Sequence, residues 1–240
     1  MKTLNQSKFL KTWHTILASI LLLALMCATG CRSTGYKKSD LAAQSFQKAA
    51  MEVQAEAREV EVTLTALNDL VNKPEADLKP QFQRFETALK RLTESAEQTD
   101  RTRRRMEKKS AEYFAAWDRE VAGINYGKVR EQSEARKGEV TNRFHSVNTR
   151  YEEAQAVVWP LITYFNDIRT ALSVDLTAAG LESVKDIVSN ADQNARKVQT
   201  ALGRLTDELT TSGTALSSTL PRDPSPPSQE SESVRVRNSE

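Results

Sequence analysis

The chain has 240 residues, of which 28% are charged and only 6% aromatic, with few glycines and prolines. This composition favours long amphipathic helices over a β-sheet core, and its periodic apolar residues exclude a wholly disordered chain. The net charge of +2 falls to within one charge of neutrality when the three lysines of the first 30 residues are left out. We therefore expect no nucleic-acid partner attracted by overall charge.

The first 30 residues have the organisation of a secretory signal. A basic segment precedes the apolar run Ile16–Ala28, and small residues lead from there to Cys31. The sequence Ala28–Cys31 resembles a lipobox, a motif in which the cysteine thiol receives a diacylglycerol before the signal peptide is cleaved. We therefore predict a lipoprotein signal peptide over residues 1–30, lipidation of Cys31, and a lipidated tether over residues 31–38.

An uncleaved membrane anchor is the alternative. Twenty uncharged residues separate Lys11 from Arg32, which is about enough to span a bilayer. The strongly apolar part is short, however, and the polar sequence after Cys31 is a poor continuation of a span. Both interpretations place residues 32–240 outside the cytoplasm. The residue after Cys31 is Arg32, which resembles lipoproteins of the outer membrane, so we favour that membrane's periplasmic face where two membranes are present.

Residues 39–218 carry four stretches of heptad-spaced apolar residues, each typical of a long helix that packs along one seam. The first stretch runs over Phe46–Val71 and ends before Pro74, because proline cannot continue a helix. The second runs over Phe82–Trp117. A turn is predicted where Gly123–Gly127 interrupts the pattern.

The third stretch, Val129–Leu172, contains Pro160, which should kink the helix. The fourth, Leu181–Leu216, is regular throughout. Short connections make sequential helices antiparallel, so we predict an all-α fold, an elongated antiparallel coiled-coil or four-helix bundle with long helices. Residues 219–240 are rich in proline and serine and are predicted to be a disordered tail.

The middle of the second stretch is unusual because its seam includes polar residues. Thr99, Arg103 and Ser110 occupy positions that an apolar seam would fill. We expect this part of the bundle to be the least protected against local opening. On the same reasoning Arg103→Leu should be tolerated, whereas Leu202→Asp should disrupt the dense fourth seam.

The residues needed for catalysis or metal binding are scarce. After signal cleavage and lipidation no free thiol remains, and His145 is the single histidine, expected to face solvent. Neighbouring carboxylates such as Glu152 and Glu153 point to different sides of a helix, and no glycine-rich phosphate loop is present. We therefore predict no enzyme, no cofactor and no metal site.

One basic segment stands out in the second predicted helix. It consists of Arg101, Arg103, Arg104, Arg105, Lys108 and Lys109. The simpler interpretation is a solvated stretch whose charge is balanced by acids of adjacent helices. The alternative is a docking site for an anionic envelope polymer, for phospholipid headgroups or for an acidic protein.

Three stretches of the second half resemble a bacterial family known as domain of unknown function 2959. They are Tyr113–Glu120, Trp159–Asp167 and Leu172–Leu205, and their order and spacing carry the resemblance. Together with the lipobox it covers nearly all of residues 31–210. The resemblance implies a largely helical envelope protein without an assigned activity, and it transfers no functional residues.

These observations lead to one expected function and one alternative. We expect a membrane-anchored envelope lipoprotein with a non-enzymatic structural or scaffolding role. Its partners would be the membrane, through the N-terminal lipid, and a protein partner or a second copy bound through the helices. The alternative is a binding module for an anionic envelope polymer or ligand, which would use the basic segment 101–109.

Overall fold

The computed structural model describes residues 35–219. These residues form five helices and no strand, which confirms the predicted all-α fold. The helices are α1 (Gly35–Asn72), α2 (Lys79–Val121), α3 (Gly127–Val174), α4 (Ala178–Ser189) and α5 (Ala191–Leu216). The predicted signal peptide, Cys31 and nearly all of the predicted tail lie outside the described residues.

Residues 38–219 belong to one unit, in which the helices form an antiparallel four-helix bundle. α2 and α5 both pack against α3. The short helix α4 leads directly into α5, and together they form the fourth member of the bundle. Side-chain hydrogen bonds join α1 to both of its neighbours. The Thr102 hydroxyl donates to Glu52 of α1, and Ser39 of α1 donates to the carbonyl of Leu216 at the end of α5. The predicted helical bundle is therefore confirmed.

The fourth seam is buried as the sequence predicts, but the helix that carries it is interrupted. All eleven predicted seam residues from Leu181 to Leu216 are buried. The interruption lies at Asn190, where the prediction had one regular helix. Ser189 and Asn190 both donate side-chain hydrogen bonds to the carbonyl of Asp186, at 2.6 Å and 3.2 Å. Such local bonds compete with the helical backbone pattern, which explains the break.

The third seam departs from the prediction over its first turns. Val129 and Arg136 are exposed, and Val140 is the first residue of the seam that is fully buried. The reason is the length of the partner helix, because Arg136 donates a hydrogen bond to the carbonyl of Ala215 near the end of α5. The turns of α3 before Arg136 therefore extend past the end of α5. Further along, α3 continues through Pro160 as one helix.

The buried stripe of α1 is wider than a two-helix seam. It includes Ala49, Glu56, Thr63 and Leu70, which are seven residues apart and which the predicted seam leaves out. In a four-helix bundle each helix faces two neighbours, so a second heptad position becomes buried beside the first. One consequence is that the carboxyl group of Glu56 lies in the core. A second difference is that α1 begins at Gly35, inside the segment predicted as a tether.

Side-chain hydrogen bonds stabilise two of the connections between helices. The amide of buried Gln81 donates to the carbonyls of Asp69 and Lys73, which satisfies the end of α1. At the other connection on this end of the bundle, Thr177 accepts a hydrogen bond from the backbone of Gly180. A side chain at Gly180 would lie 2.0 Å from the carbonyl oxygen of Asp175, so only glycine fits this turn.

Candidate functional site

Half of the basic segment is neutralised by acids of its own helix. Arg101 pairs with Glu97 at 3.3 Å, and Arg104 pairs with Asp100 at 2.6 Å. Arg103 is also within 3.4 Å of Asp100. These partners lie three or four residues away, where side chains on one face of a helix meet. The expectation that adjacent helices balance the segment is therefore wrong for these three arginines.

The other three cations of the segment are left without an acid. Arg105, Lys108 and Lys109 are exposed and form no ion pair within residues 35–219. The guanidinium of Arg105 donates to the Thr102 hydroxyl at 2.9 Å, which places it towards α1. The structure thus narrows the candidate anion site from six residues to these three.

Arg103 is a paired residue and does not leave a gap in the seam. Its side chain is 21% exposed, and it lies 3.6 Å from Glu107 as well as close to Asp100. It also donates to the Asn148 amide oxygen of α3 at 3.5 Å. An apolar replacement would remove all three contacts, so the structure reverses the expectation that Arg103→Leu is tolerated.

Asp100 is the centre of this polar network. Gln155 of α3 donates to its carboxylate at 2.7 Å, and Arg104 donates two hydrogen bonds from α2. Burial raises the pKa of Asp100, but these hydrogen bonds and the charges of Arg104 and Arg103 outweigh it, so the pKa lies below its usual value. The network therefore holds Asp100 in its ionised form.

Glu56 is a functional candidate that the sequence reasoning missed. It is 2% exposed, and its Oε2 atom has no hydrogen-bond partner among the described residues. Burial raises the pKa of Glu56 to about 7, with the nearby Thr99 hydroxyl offsetting part of the rise. The spacing of seven residues places Glu56 on the same helix face as Ala49 and Thr63, but it does not by itself show that this face is buried.

Glu56 belongs to a mid-bundle polar layer, which we define as Glu56, Thr99 and Tyr151. One residue comes from each of α1, α2 and α3, and all three line a cavity of about 10 Å³, about the smallest that holds one water molecule. Burial, together with the carboxylates of Glu52 and Glu56, raises the pKa of Tyr151. The layer has no room for an organic substrate.

Two larger clefts flank α2 on either side of Met106. The α1–α2 cleft has a volume of about 260 Å³ and the α2–α3 cleft about 240 Å³. Met106, Ser110 and Phe144 line both clefts. Ser110, one of the polar residues of the predicted seam, therefore lies between the two clefts. A wider open groove of about 710 Å³ lies nearer the first connection and carries charges of both signs.

The α2–α3 cleft contains side chains that occur in hydrolases, but they are not paired. His145 is exposed, as expected, and lines this cleft with Ser110 and Glu107. The Ser110 hydroxyl donates to the backbone carbonyl of Glu107, and no hydrogen bond within the described part joins it to His145. A nucleophile activated by a base would need that bond or a close approach to it.

Two further findings concern the described residues alone. No group of three or more His, Cys, Asp or Glu side chains between residues 35 and 219 is arranged to hold a metal ion. None of the five helices has an apolar stretch long enough to cross a membrane. Neither finding extends to the N-terminal residues that carry the predicted signal.

Comparison with known proteins places the chain in a family. The comparison with curated proteins found no match. A family model with the description "Protein of unknown function (DUF2959)" matches residues 29–212, which include all of α1, α2, α3 and α4 and most of α5. The match covers more than half of the sequence, and the chain therefore belongs to this family of proteins of unknown function.

Proposed function

We propose that the chain is an envelope lipoprotein, anchored by lipid at Cys31, whose helical bundle serves as a non-enzymatic docking scaffold. The observation that carries the proposal is the distance along the chain from Cys31 to the first helix. α1 begins at Gly35, four residues after the cysteine, and four residues span at most about 14 Å. A lipid at Cys31 would therefore hold the start of the bundle close to the membrane surface.

The side-chain chemistry supports a role without catalysis. Glu56 has the pKa of a general base, but it faces a cavity of about 10 Å³ in the core, where no substrate can reach it. Ser110 and His145 share an accessible cleft without a hydrogen bond between them. The long helices offer side-chain rows for a protein partner or a second copy.

Mass spectrometry of the mature N-terminus tests the anchor. We expect a chain that begins at Cys31 and carries acyl groups, found in the membrane fraction. Cys31→Ala should remove the lipid and leave the precursor uncleaved. The matched control is Cys27→Ala, which changes a cysteine inside the predicted signal and should leave processing intact. A mature chain that begins at Met1 with a free Cys31 thiol would exclude the lipoprotein.

Site-specific photo-crosslinking in cells tests the scaffold. A photoreactive amino acid at an exposed α5 position such as Lys197 should give discrete protein adducts in the anchored chain. The same adducts should be lost in Cys31→Ala and retained in the double variant Ser110→Ala/His145→Ala. Loss of adducts in the double variant, with the fold intact, would indicate a chemical role for the α2–α3 cleft.

The second candidate function is binding of an anionic ligand. It is supported by Arg105, Lys108 and Lys109, which have no acid partner in the described part of the chain. A polyanion bound by these cations should dissociate steeply as salt rises, whereas an apolar helix contact should not. Titration of a bound envelope fraction with sodium chloride separates the two candidates.

A further inference from the structure

We propose that the α1–α2 cleft binds an anionic phospholipid of the membrane to which the chain is anchored, with an acyl chain in the cleft and the phosphate on Arg105 and Lys109. The proposal rests on the function proposed above, because it requires the bundle to stand on a membrane. It also specifies the anionic ligand that the basic segment alone leaves undefined.

The lining of the cleft suits an acyl chain. Apolar surface comes from Leu41 and Ala42 of α1, Met106 and Tyr113 of α2, and Phe144 of α3. Leu41 is 61% exposed, and part of its side chain lines the cleft of about 260 Å³. Filling the cleft with methylene groups would remove this apolar surface from water.

The rim of the cleft is suited to a phosphate. Lys109 lines the cleft, and Arg105 lies one helical turn before it on the same face of α2. Neither forms an ion pair within residues 35–219. Two other charges line the cleft: Glu112, and Lys38, which lies 4.0 Å from Glu120. Arg105 and Lys109 are thus the cations left to bind an anionic headgroup.

The position of the cleft points to the membrane as the source of the lipid. Lys38 marks the first turns of the bundle and also lines the cleft. Lys38 lies seven residues after Cys31, a span of at most about 25 Å. The opening is therefore at the end of the bundle nearest the anchor. A second cleft, of about 240 Å³, lies on the other side of Met106 and Ser110.

Photolabelling by a phospholipid tests the proposal on the full chain. The processed protein is reconstituted in phosphatidylcholine vesicles that contain a small fraction of phosphatidylglycerol with a diazirine in its acyl chain. After illumination, labelled peptides are mapped by mass spectrometry. We expect label in Leu41–Ser45 and Met106–Tyr113, and several-fold less label when the diazirine is carried by phosphatidylcholine.

Two variants and one control make the test specific. Arg105→Gln/Lys109→Gln should lower the labelling of the cleft several-fold, and Leu41→Glu, at an exposed position, should lower it by placing a charge at the mouth. Lys197→Gln/Arg204→Gln removes two exposed cations of α5 and should leave the labelling unchanged. Helical circular dichroism and the melting temperature show that each variant is folded.

The outcomes separate this proposal from the one on which it rests. The lipid site is overturned if the cleft peptides of the anchored chain stay unlabelled. It is also overturned if labelling depends neither on the headgroup nor on the Arg105→Gln/Lys109→Gln change. Neither result affects the proposal that Cys31 is lipidated. A chain that lacks lipid on Cys31 but is labelled in the cleft overturns the anchor alone. The state of Cys31 is read by mass spectrometry in the same sample.

Discussion

Glu56 is a carboxylic acid in the core, and no ion pair among residues 35–219 includes it. Burial raises its pKa from 4.5 to about 7. Between these two pH values the folded protein therefore keeps a proton on Glu56 that the unfolded chain has lost. The contribution of Glu56 to stability therefore falls as the pH rises from about 4.5 to about 7 and is constant above that range. The size of the effect is about 3 kcal/mol, from about 1.4 kcal/mol for each pH unit.

Glu56→Gln should abolish this pH dependence. The amide stays neutral, so we expect wild type and variant to have similar stability near pH 5 and the variant to be more stable by about 3 kcal/mol at pH 8. Urea unfolding at both pH values measures the difference. Glu56→Asp keeps a carboxyl group and should keep the dependence. Equal stability of wild type and Glu56→Gln at pH 8 would mean that Glu56 titrates as an exposed acid.

The opposite shift at Asp100 does not interfere with this measurement. Its pKa is lowered by hydrogen bonds and by neighbouring arginines that outweigh burial. The stability that it contributes is present at neutral pH and is lost only as the pH falls below the usual range of an aspartate. Measurements above pH 5 therefore report on Glu56 with little contribution from Asp100.

Arg103→Leu should destabilise the bundle, although it fills a position of the apolar seam. The change removes the contacts of Arg103 with Asp100, Glu107 and Asn148. We expect a loss of about 1–2 kcal/mol in denaturant unfolding. Arg101→Leu, at a more exposed position of the same helix, should change stability by less than about 0.5 kcal/mol. A more stable Arg103→Leu variant would restore the apolar-seam interpretation.

At the scale of the helices, α2 and α5 should differ in local stability. α2 has clefts on two sides of Ser110, whereas α5 buries every predicted seam residue. A helix with fewer packed neighbours opens more readily. The polar network around Asp100 fastens α2 to α3, and the Trp117 indole donates to Ser133 of α3 at 3.0 Å. We therefore expect the weak turns of α2 between these two places.

Hydrogen exchange should locate this weakness within α2. We expect amides of residues 106–114 to exchange about tenfold or more faster than those of residues 202–212 in α5. Residues 98–103 should be protected because Asp100 and Thr102 bond to neighbouring helices. The same experiment with anionic vesicles should slow residues 106–114 if a lipid fills the cleft. Uniform protection along α2 would contradict the predicted weakness.

At the scale of the whole molecule, the four members share one core, so a defect in one should unfold all of them. Leu202 is 1% exposed and belongs to the core cluster that joins the helices. An unpaired charge at such a position is among the changes that destabilise most. The bundle should therefore respond as a single cooperative unit.

Leu202→Asp should lower the free energy of unfolding by more than about 4 kcal/mol. Thermal unfolding followed by circular dichroism measures this, and one transition is expected to carry the loss of all helices. Arg204→Asp is the control, since it places the same charge on the exposed face of α5. Separate transitions for different helices would contradict a single core.

Much of the fold follows from local patterns in the sequence. Heptad spacing locates the long helices, and Pro74 and the glycines at 123 and 127 mark their ends, because periodicity and proline geometry act within one segment. The seam from Leu181 to Leu216 is buried without exception for the same reason. The family resemblance, carried by the order of three motifs, is also confirmed.

The candidate sites depend on the tertiary structure. The pairing of Arg103 requires Asn148 from α3, and the first turns of α3 are exposed because α5 ends beside Arg136. Glu56 is buried because α1 packs between two neighbours, which its own periodicity does not specify. Helix periodicity determines which residues share a face, whereas burial, pairing and cleft formation depend on which neighbouring side chains lie at the same level of the bundle.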